Sequence, residues 1–112
     1  MSNRSIVFEI STTKYETDKE LVTSVMKDLQ LSCEVTDGFL LSNPMEKFGW
    51  TFFKILFKNE LLVGIQEKFG THIMNTKGKA FQEKFNDFVT KFFESKNCKI
   101  RMKLVEIGRA HV

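Results

Sequence analysis

The chain has 112 residues, a formal net charge of +3, 42% hydrophobic residues and 28% charged residues, which is the composition of one small globular domain. This composition excludes collagen-like, linker-like and strongly charged disordered chains, and no apolar run suits a transmembrane helix or a signal peptide. Two cysteines, Cys33 and Cys98, are too few for a disulfide framework, so we expect a reducing, cytoplasmic compartment.

The first elements are a strand and an amphipathic helix. Ile6, Phe8 and Ile10 alternate with Val7, Glu9 and Ser11, which predicts a strand with one strongly apolar face. Thr17 and Glu20 have the spacing of a capping box, so a helix is predicted from Asp18 to Gln30. Its apolar stripe consists of Leu21, Val22, Val25, Met26 and Leu29.

A hairpin is predicted next. Cys33–Val35 alternates like a strand, and Asp37 and Gly38 follow it. An Asp-Gly pair between apolar segments is typical of a two-residue turn, because both turn positions favour positive φ. Phe39–Ser42 is then the predicted return strand.

The central segment is also interpreted as strands. Trp50–Phe57 is strongly apolar and predicts a strand, with a turn at Lys58–Glu60. Alternation in Leu61–Gln66 predicts the next strand, and Thr71–Met74 is a candidate for another short one.

The pattern becomes helical from Lys79, and this second helix is expected to end near Ser95. Its stripe consists of Phe81, Phe85, Phe88, Phe92 and Phe93. Ile100–Leu104 alternates again and predicts a last strand. The predicted order is β-α-β-β-β-β-α-β. It indicates an α+β domain, with an antiparallel sheet of about five or six strands and two amphipathic helices on one face.

The last seven residues, 106–112, resemble the conceptual translation of a widely used sequencing adapter. We therefore predict a single domain over residues 1–105 and a non-native tail over 106–112. On this interpretation the native chain would end elsewhere, and His111 is excluded as a candidate ligand.

Residues that support catalysis are few. His72 is the one histidine before the tail, and no serine lies in a nucleophile-elbow motif. A zinc site would require Cys33, Cys98 and His72 to converge from three separate elements. The Gly78-Lys79 pair lacks the surrounding residues of a phosphate-binding loop. We therefore expect no catalytic residues, no metal and no cofactor, and we predict that the chain is not an enzyme.

Aromatic and basic residues share one face of two predicted strands. The face of the Trp50 strand opposite the core carries Phe48, Trp50, Phe52 and Lys54. One face of the last strand carries Lys99, Arg101 and Lys103. Such a combination suits single-stranded nucleic acid, because bases stack on rings while cations meet phosphates. Aromatic residues also pack at protein interfaces, and strand cations protect sheet edges.

The stretch Phe48–Phe53 resembles the core of the third-strand motif in RNA-recognition-motif domains. The two residues before it depart from that pattern. The resemblance implies a strand-helix-strand-strand-helix-strand fold. It further implies that Phe48 and Trp50 stack on bases and that Phe53 belongs to the core.

Three functions are compatible with these patterns. The leading expectation is a small binding or regulatory module whose open sheet face contacts a protein partner or a second copy. The first alternative is binding of single-stranded RNA or DNA by the same face. The second is a carrier of a hydrophobic small ligand, with an interior lined by Phe8, Ile10, Phe53, Ile55, Val63, Ile65, Phe81, Phe85 and Phe88. No membrane partner is expected.

Overall fold

The computed structural model describes residues 4–75 and 81–109, with side-chain surroundings for residues 5–71 and 82–106. The fold is α+β with a five-stranded antiparallel sheet, as predicted. The elements in chain order are β1 (Arg4–Thr12), α1 (Tyr15–Ser32), β2 (Phe39–Leu41), β3 (Met45–Lys47), β4 (Trp50–Phe57), α2 (Asn59–Asn75), α3 (Phe81–Ser95) and β5 (Arg101–Arg109). None of the helices in these ranges is long and apolar enough to cross a membrane.

The two longest runs of strand pairing join β1 to its neighbours on either side. The strand order is β2-β4-β1-β5, and β3 pairs with β4 beyond the end of β2. Ile10 lies opposite Phe53 on β4 and Met102 on β5. A register shift between Val7 and Phe8 leaves Val105 of β5 as the extra residue of a bulge. If the short strand β3 is set aside and α2 and α3 are counted as a single helical connection between β4 and β5, the element order is β-α-β-β-α-β.

The hydrophobic core lies between one face of the sheet and the three helices. Phe8 packs against Phe57 and Phe85, with ring centroids 5.3 and 6.0 Å apart, and the Phe57 and Phe85 rings are 5.8 Å apart. The fully buried side chains that the described helices contribute to the core are Val22, Met26, Leu29, Leu61, Ile65, Phe85, Val89 and Phe93. The alternation in β1 and β4 therefore predicted the core-facing sides correctly, as did the spacing of Phe85, Phe88, Phe92 and Phe93 in α3.

The predicted capping box at the start of α1 is wrong. The helix begins at Tyr15, so Thr17 and Glu20 lie inside it, and the cap residue Lys14 makes no side-chain cap bond. Instead Thr12 Oγ1 accepts a bond from the Lys14 amide and donates to the Asp18 carboxylate. The last residue of β1 thus closes the β1–α1 loop and takes the place of a side-chain cap on α1.

The predicted Asp37-Gly38 hairpin is also wrong, although its return strand exists as β2. Residues 33–35 form no strand, and neither turn residue has positive φ. Gly38 is instead a point of close approach. Its amide donates to Gln30 Oε1, its carbonyl accepts from the Lys58 amide, and an added Cβ would lie 2.7 Å from Leu61 Cβ.

Helix α2 occupies the segment for which two strands were predicted. Leu61 and Ile65 are buried one helical turn apart, whereas Val63, which the alternation placed in the core, is 47% exposed. Gly64 brings α2 against the chain after α1, because a Cβ there would lie 3.0 Å from Cys33 Cβ. The tertiary contact decides between two periodicities that both fit this sequence.

The helix predicted from Lys79 is confirmed as α3, and the last strand as β5. Strand β5 begins at Arg101 and continues through residues 106–109 in register with β1. The adapter interpretation of the tail stays a prediction. His111, Gly78 and Lys79 lie outside the described residues, as do the side chains of His72 and Phe81.

Candidate functional site

The side of the sheet opposite the helices is covered by no described element, and we call it the open face. Residues that pair in antiparallel register point to the same side of a sheet, so the register assigns its members. They are Ser5, Val7, Glu9 and Ser11 of β1, Leu40 of β2, Met45 and Lys47 of β3, Trp50, Phe52, Lys54 and Leu56 of β4, and Arg101, Lys103 and Glu106 of β5. Ser5 and Val7 are buried by their neighbours, each at 9% exposure.

The apolar residues of the open face form two groups along the β2–β3 edge, with the exposed Lys54 between them. Met45 lies opposite Phe52, and Leu40 lies opposite Leu56. Met45 is 67% exposed, Leu40 is 53% exposed and Trp50 is 38% exposed. Several large apolar side chains together on one exposed face are typical of an interaction surface, whereas single ones are ordinary.

Arg101 and Trp50 contact each other across the open face. The guanidinium carbon of Arg101 lies 5.9 Å from the centre of the Trp50 ring, which is cation–π geometry. Two residues from the separate predicted groups, the aromatic strand and the basic strand, therefore belong to one surface. One side of the indole ring is already covered by the chain's own cation.

The charged part of the open face is basic overall but contains carboxylates. Glu9 lies directly between Lys54 on β4 and Lys103 on β5 in the paired register. The open face carries the cations Lys47, Lys54, Arg101 and Lys103 and the carboxylates Glu9 and Glu106. The central Glu9 weakens the field that a phosphate would meet between the two lysines.

Phe48 does not lie on the strand where the sequence placed it. It forms the two-residue turn between β3 and β4 with Gly49, and both have positive φ, 54° and 80°. This geometry matches a type I′ turn, which favours Asn-Gly. A left-handed backbone costs a non-glycine residue roughly 1–2 kcal/mol. The Phe48 side chain is 90% exposed, and Lys47 Nζ lies 5.7 Å from its ring centre.

Lys99 is likewise displaced from its predicted position. It is exposed in the loop between α3 and β5, two residues before β5 begins, so it does not extend the row of Arg101 and Lys103. The open face thus brings together Trp50, Phe52, Lys54, Arg101 and Lys103 of the predicted residues, and it excludes Phe48 and Lys99. Phe53 lies in the core at 1% exposure, as the resemblance implied.

Met45 and Leu40 are members of the open face that the sequence interpretation missed. Met45 belongs to a three-residue strand directly after Pro44, a position that favours a loop by local preference. The signal for Leu40 was its place in the predicted strand Phe39–Ser42, on the side opposite Phe39 and Leu41. Its place on the open face follows from the pairing of β2 with β4, which puts Leu40 opposite Leu56 and which the sequence of β2 alone does not predict.

The structure adds no support for a ligand carrier. Three clefts among the described residues are open and are lined mainly by polar and charged side chains. The rings of Phe8, Phe57 and Phe85 fill the middle of the interior by packing on one another.

Both cysteines carry free thiols that burial makes less acidic. Burial raises the pKa of the Cys33 thiol, against the effect of Lys68, and burial together with the Asp18 charge raises the pKa of the Cys98 thiol. Raised thiol pKa values disfavour the nucleophilic thiolate at neutral pH. Among the described side chains, no group of three or more His, Cys, Asp or Glu residues lies close enough to hold a metal ion.

The chain matches no protein family model, no curated protein and no solved structure. Its candidate site is therefore defined by its own geometry.

Proposed function

We propose that this chain is a small non-catalytic binding module that engages a protein partner through the open face. The single observation that carries the proposal is the exposure of Met45 beside Phe52 and Trp50, with Leu40 also exposed farther along β4, opposite Leu56. Aliphatic groups gain free energy by burial against a partner's apolar surface, whereas nucleic-acid bases gain it by stacking on rings. Trp, Met and Arg are also enriched at protein interfaces.

The charges of the open face form a row across its middle. Lys54, Glu9 and Lys103 lie between Phe52 and Leu56 in the paired register, and such a mixed row selects a partner by charge pattern. The free thiols of Cys33 and Cys98 suit a reducing cytoplasm, the compartment in which we place this activity.

Photocrosslinking tests this proposal. A benzophenone amino acid replaces Met45 on the open face or, as the matched control, the exposed Lys27 on α1. In an extract of the native source, we expect a discrete protein adduct from position 45 that position 27 does not give. The same adduct should be lost when Trp50→Ala is added. Equal adducts from both positions, or adducts that persist in the Trp50→Ala background, would refute an open-face partner.

Binding of single-stranded nucleic acid is the second candidate, and the rings of Trp50 and Phe52 near Lys54 and Arg101 favour it. It requires Arg101 to leave the Trp50 ring, so that a base can stack there. A fluorescence titration of Trp50, the one tryptophan, with single-stranded oligonucleotide at low salt tests this candidate. Binding that weakens steeply with salt would support it, and an unchanged signal at low salt would exclude it.

A further inference from the structure

The tip of the β3–β4 hairpin carries an apolar side chain at a conformational cost. Phe48 is 90% exposed and has a φ of 54°, a backbone that is unusual for a bulky residue. Its one aromatic contact in the described chain is with Lys47, whose amine lies over the ring. Strained residues that gain little inside their own chain are candidates for contacts outside it.

A cleft of about 680 Å³ opens next to this hairpin, between the start of α1 and the β3 strand. Its lining residues are Thr13, Lys14, Tyr15, Glu16, Thr17, Pro44, Glu46 and Thr51. Tyr15 and Pro44 contribute apolar surface to the cleft. Its charged residues are two carboxylates, Glu16 and Glu46, and one cation, Lys14, so the lining is net negative. Neither carboxylate takes part in the ion pairs of the described residues. An aromatic ring accompanied by a cation is complementary to this lining.

We propose that two copies of this chain exchange hairpin tips, with Phe48 of each copy entering the cleft of the other. The ring of Phe48 would lie against Tyr15 and Pro44, and Lys47 would approach Glu16. Aromatic side chains in partner pockets are the usual anchors of protein interfaces. The proposal commits to a second copy because the same hairpin carries both the protruding ring and one wall of the cleft.

The position of these two features determines the symmetry of the assembly. The Phe48 ring and the cleft lie at the same end of the sheet. A twofold axis through the hairpins would therefore allow each copy to insert its Phe48 into the cleft of the other. The contact then closes at two copies instead of growing into a filament. The proposed contact uses one open-face residue, Lys47, and none of the apolar residues that carry the proposed function, so either proposal can fail alone.

Sedimentation velocity over a range of micromolar concentrations tests the dimer. We expect a species of twice 13.1 kDa, and we expect Phe48→Ala to raise its dissociation constant by about tenfold or more. Leu31→Ala is the matched control, since Leu31 is an apolar side chain of α1 that is 75% exposed away from the hairpin. A monomer throughout this range, or a dimer that both substitutions affect equally, would overturn the proposal.

A charge exchange separates this dimer from any other dimer. Lys47→Glu alone places like charges beside Glu16, and Glu16→Lys alone places like charges beside Lys47, so each variant should dissociate more readily than the wild type. An equimolar mixture of the two variants pairs opposite charges at both exchanges. We expect the mixture to dimerise more tightly than either variant alone. If the mixture dimerised no more tightly than either variant alone, insertion of Phe48 and Lys47 into the partner's cleft would be refuted.

Discussion

The guanidinium carbon of Arg101 lies 5.9 Å from the centre of the Trp50 ring, although strand β1 separates the strands that carry them. Ser11, a small residue of β1, lies opposite both Arg101 and Phe52, and Trp50 is the next residue after Phe52 on the same side of β4. The open face is therefore organised by contacts across three strands, and its aromatic and basic parts form one surface.

The Arg101–Trp50 contact predicts a specific change in tryptophan accessibility. Arg101→Met removes the cation, so acrylamide should quench Trp50 fluorescence more strongly. The free energy of unfolding should fall by about 0.5–1 kcal/mol, the usual size of an exposed cation–π contact. Lys103→Met is the matched control, because Lys103 lies two residues along β5 and opposite Glu9. Equal quenching in both variants would contradict the contact.

The turn at Phe48 predicts that the protein can be stabilised there. Phe48→Asn creates an Asn-Gly pair, which suits the type I′ turn, so the free energy of unfolding should rise by about 1 kcal/mol. Urea unfolding at a protein concentration at which the chain is monomeric measures this difference. Phe48→Ala is the control, since alanine keeps the left-handed penalty and should give less stability than asparagine. If asparagine and alanine at position 48 proved equally stable, the strain at this turn would be disproved.

Two glycines should respond to alanine with opposite signs. At Gly38 the new Cβ would lie 2.7 Å from Leu61 Cβ in the core, so Gly38→Ala should cost about 1–3 kcal/mol of stability. At Gly70, inside α2, the nearest atom is the end of the flexible Gln66 side chain at 3.4 Å. Gly70→Ala should therefore stabilise the helix by about 0.5–1 kcal/mol. Urea midpoints decide both, and a stable Gly38→Ala variant would contradict the close approach of α2 to residue 38.

Stability should fall as the pH rises above 9.0, because burial raises the pKa of the Cys33 and Cys98 thiols above this ordinary value. Between 9.0 and the higher folded pKa, the unfolded chain loses thiol protons that the folded chain keeps, so alkaline pH favours unfolding. Well below 9.0 both states are protonated and the effect vanishes. The measurement is urea unfolding at neutral and alkaline pH, for the wild type and for Cys33→Ser/Cys98→Ala. If both proteins lost the same stability at alkaline pH, the loss would come from titratable groups other than the two thiols.

The parts of the fold that the sequence predicted are those with one dominant periodicity. Alternation alone identified the inward residues Phe53, Ile55 and Phe57 of β4, and the helical spacing of phenylalanines identified α3. On the open face, the same alternation placed Trp50 and Phe52 together on the side away from the core. These features depend on neighbours within a few residues, and local patterns report them well.

The parts that were missed depend on contacts between distant segments. The spacing of Leu61 and Ile65 fits either a strand or a helix. In the structure both are buried in helix α2, where Leu61 packs close to Gly38. Phe48 occupies a turn position where local preference favours asparagine, so the sequence interpretation placed it on the strand. Met45 lies on the open face because β3 pairs with β4, and the register of that pairing cannot be predicted from the sequence of either strand alone.

The most direct test of the open face as a protein-binding surface is a ¹⁹F NMR spectrum of the chain labelled with 5-fluorotryptophan. The chain has one tryptophan, so a single resonance reports on Trp50. In an extract of the native source, we predict that this resonance broadens or shifts, that nuclease treatment leaves the change in place, and that prior protease treatment of the extract abolishes it. A resonance that stays sharp in the extract, or a change that nuclease removes, would contradict the account.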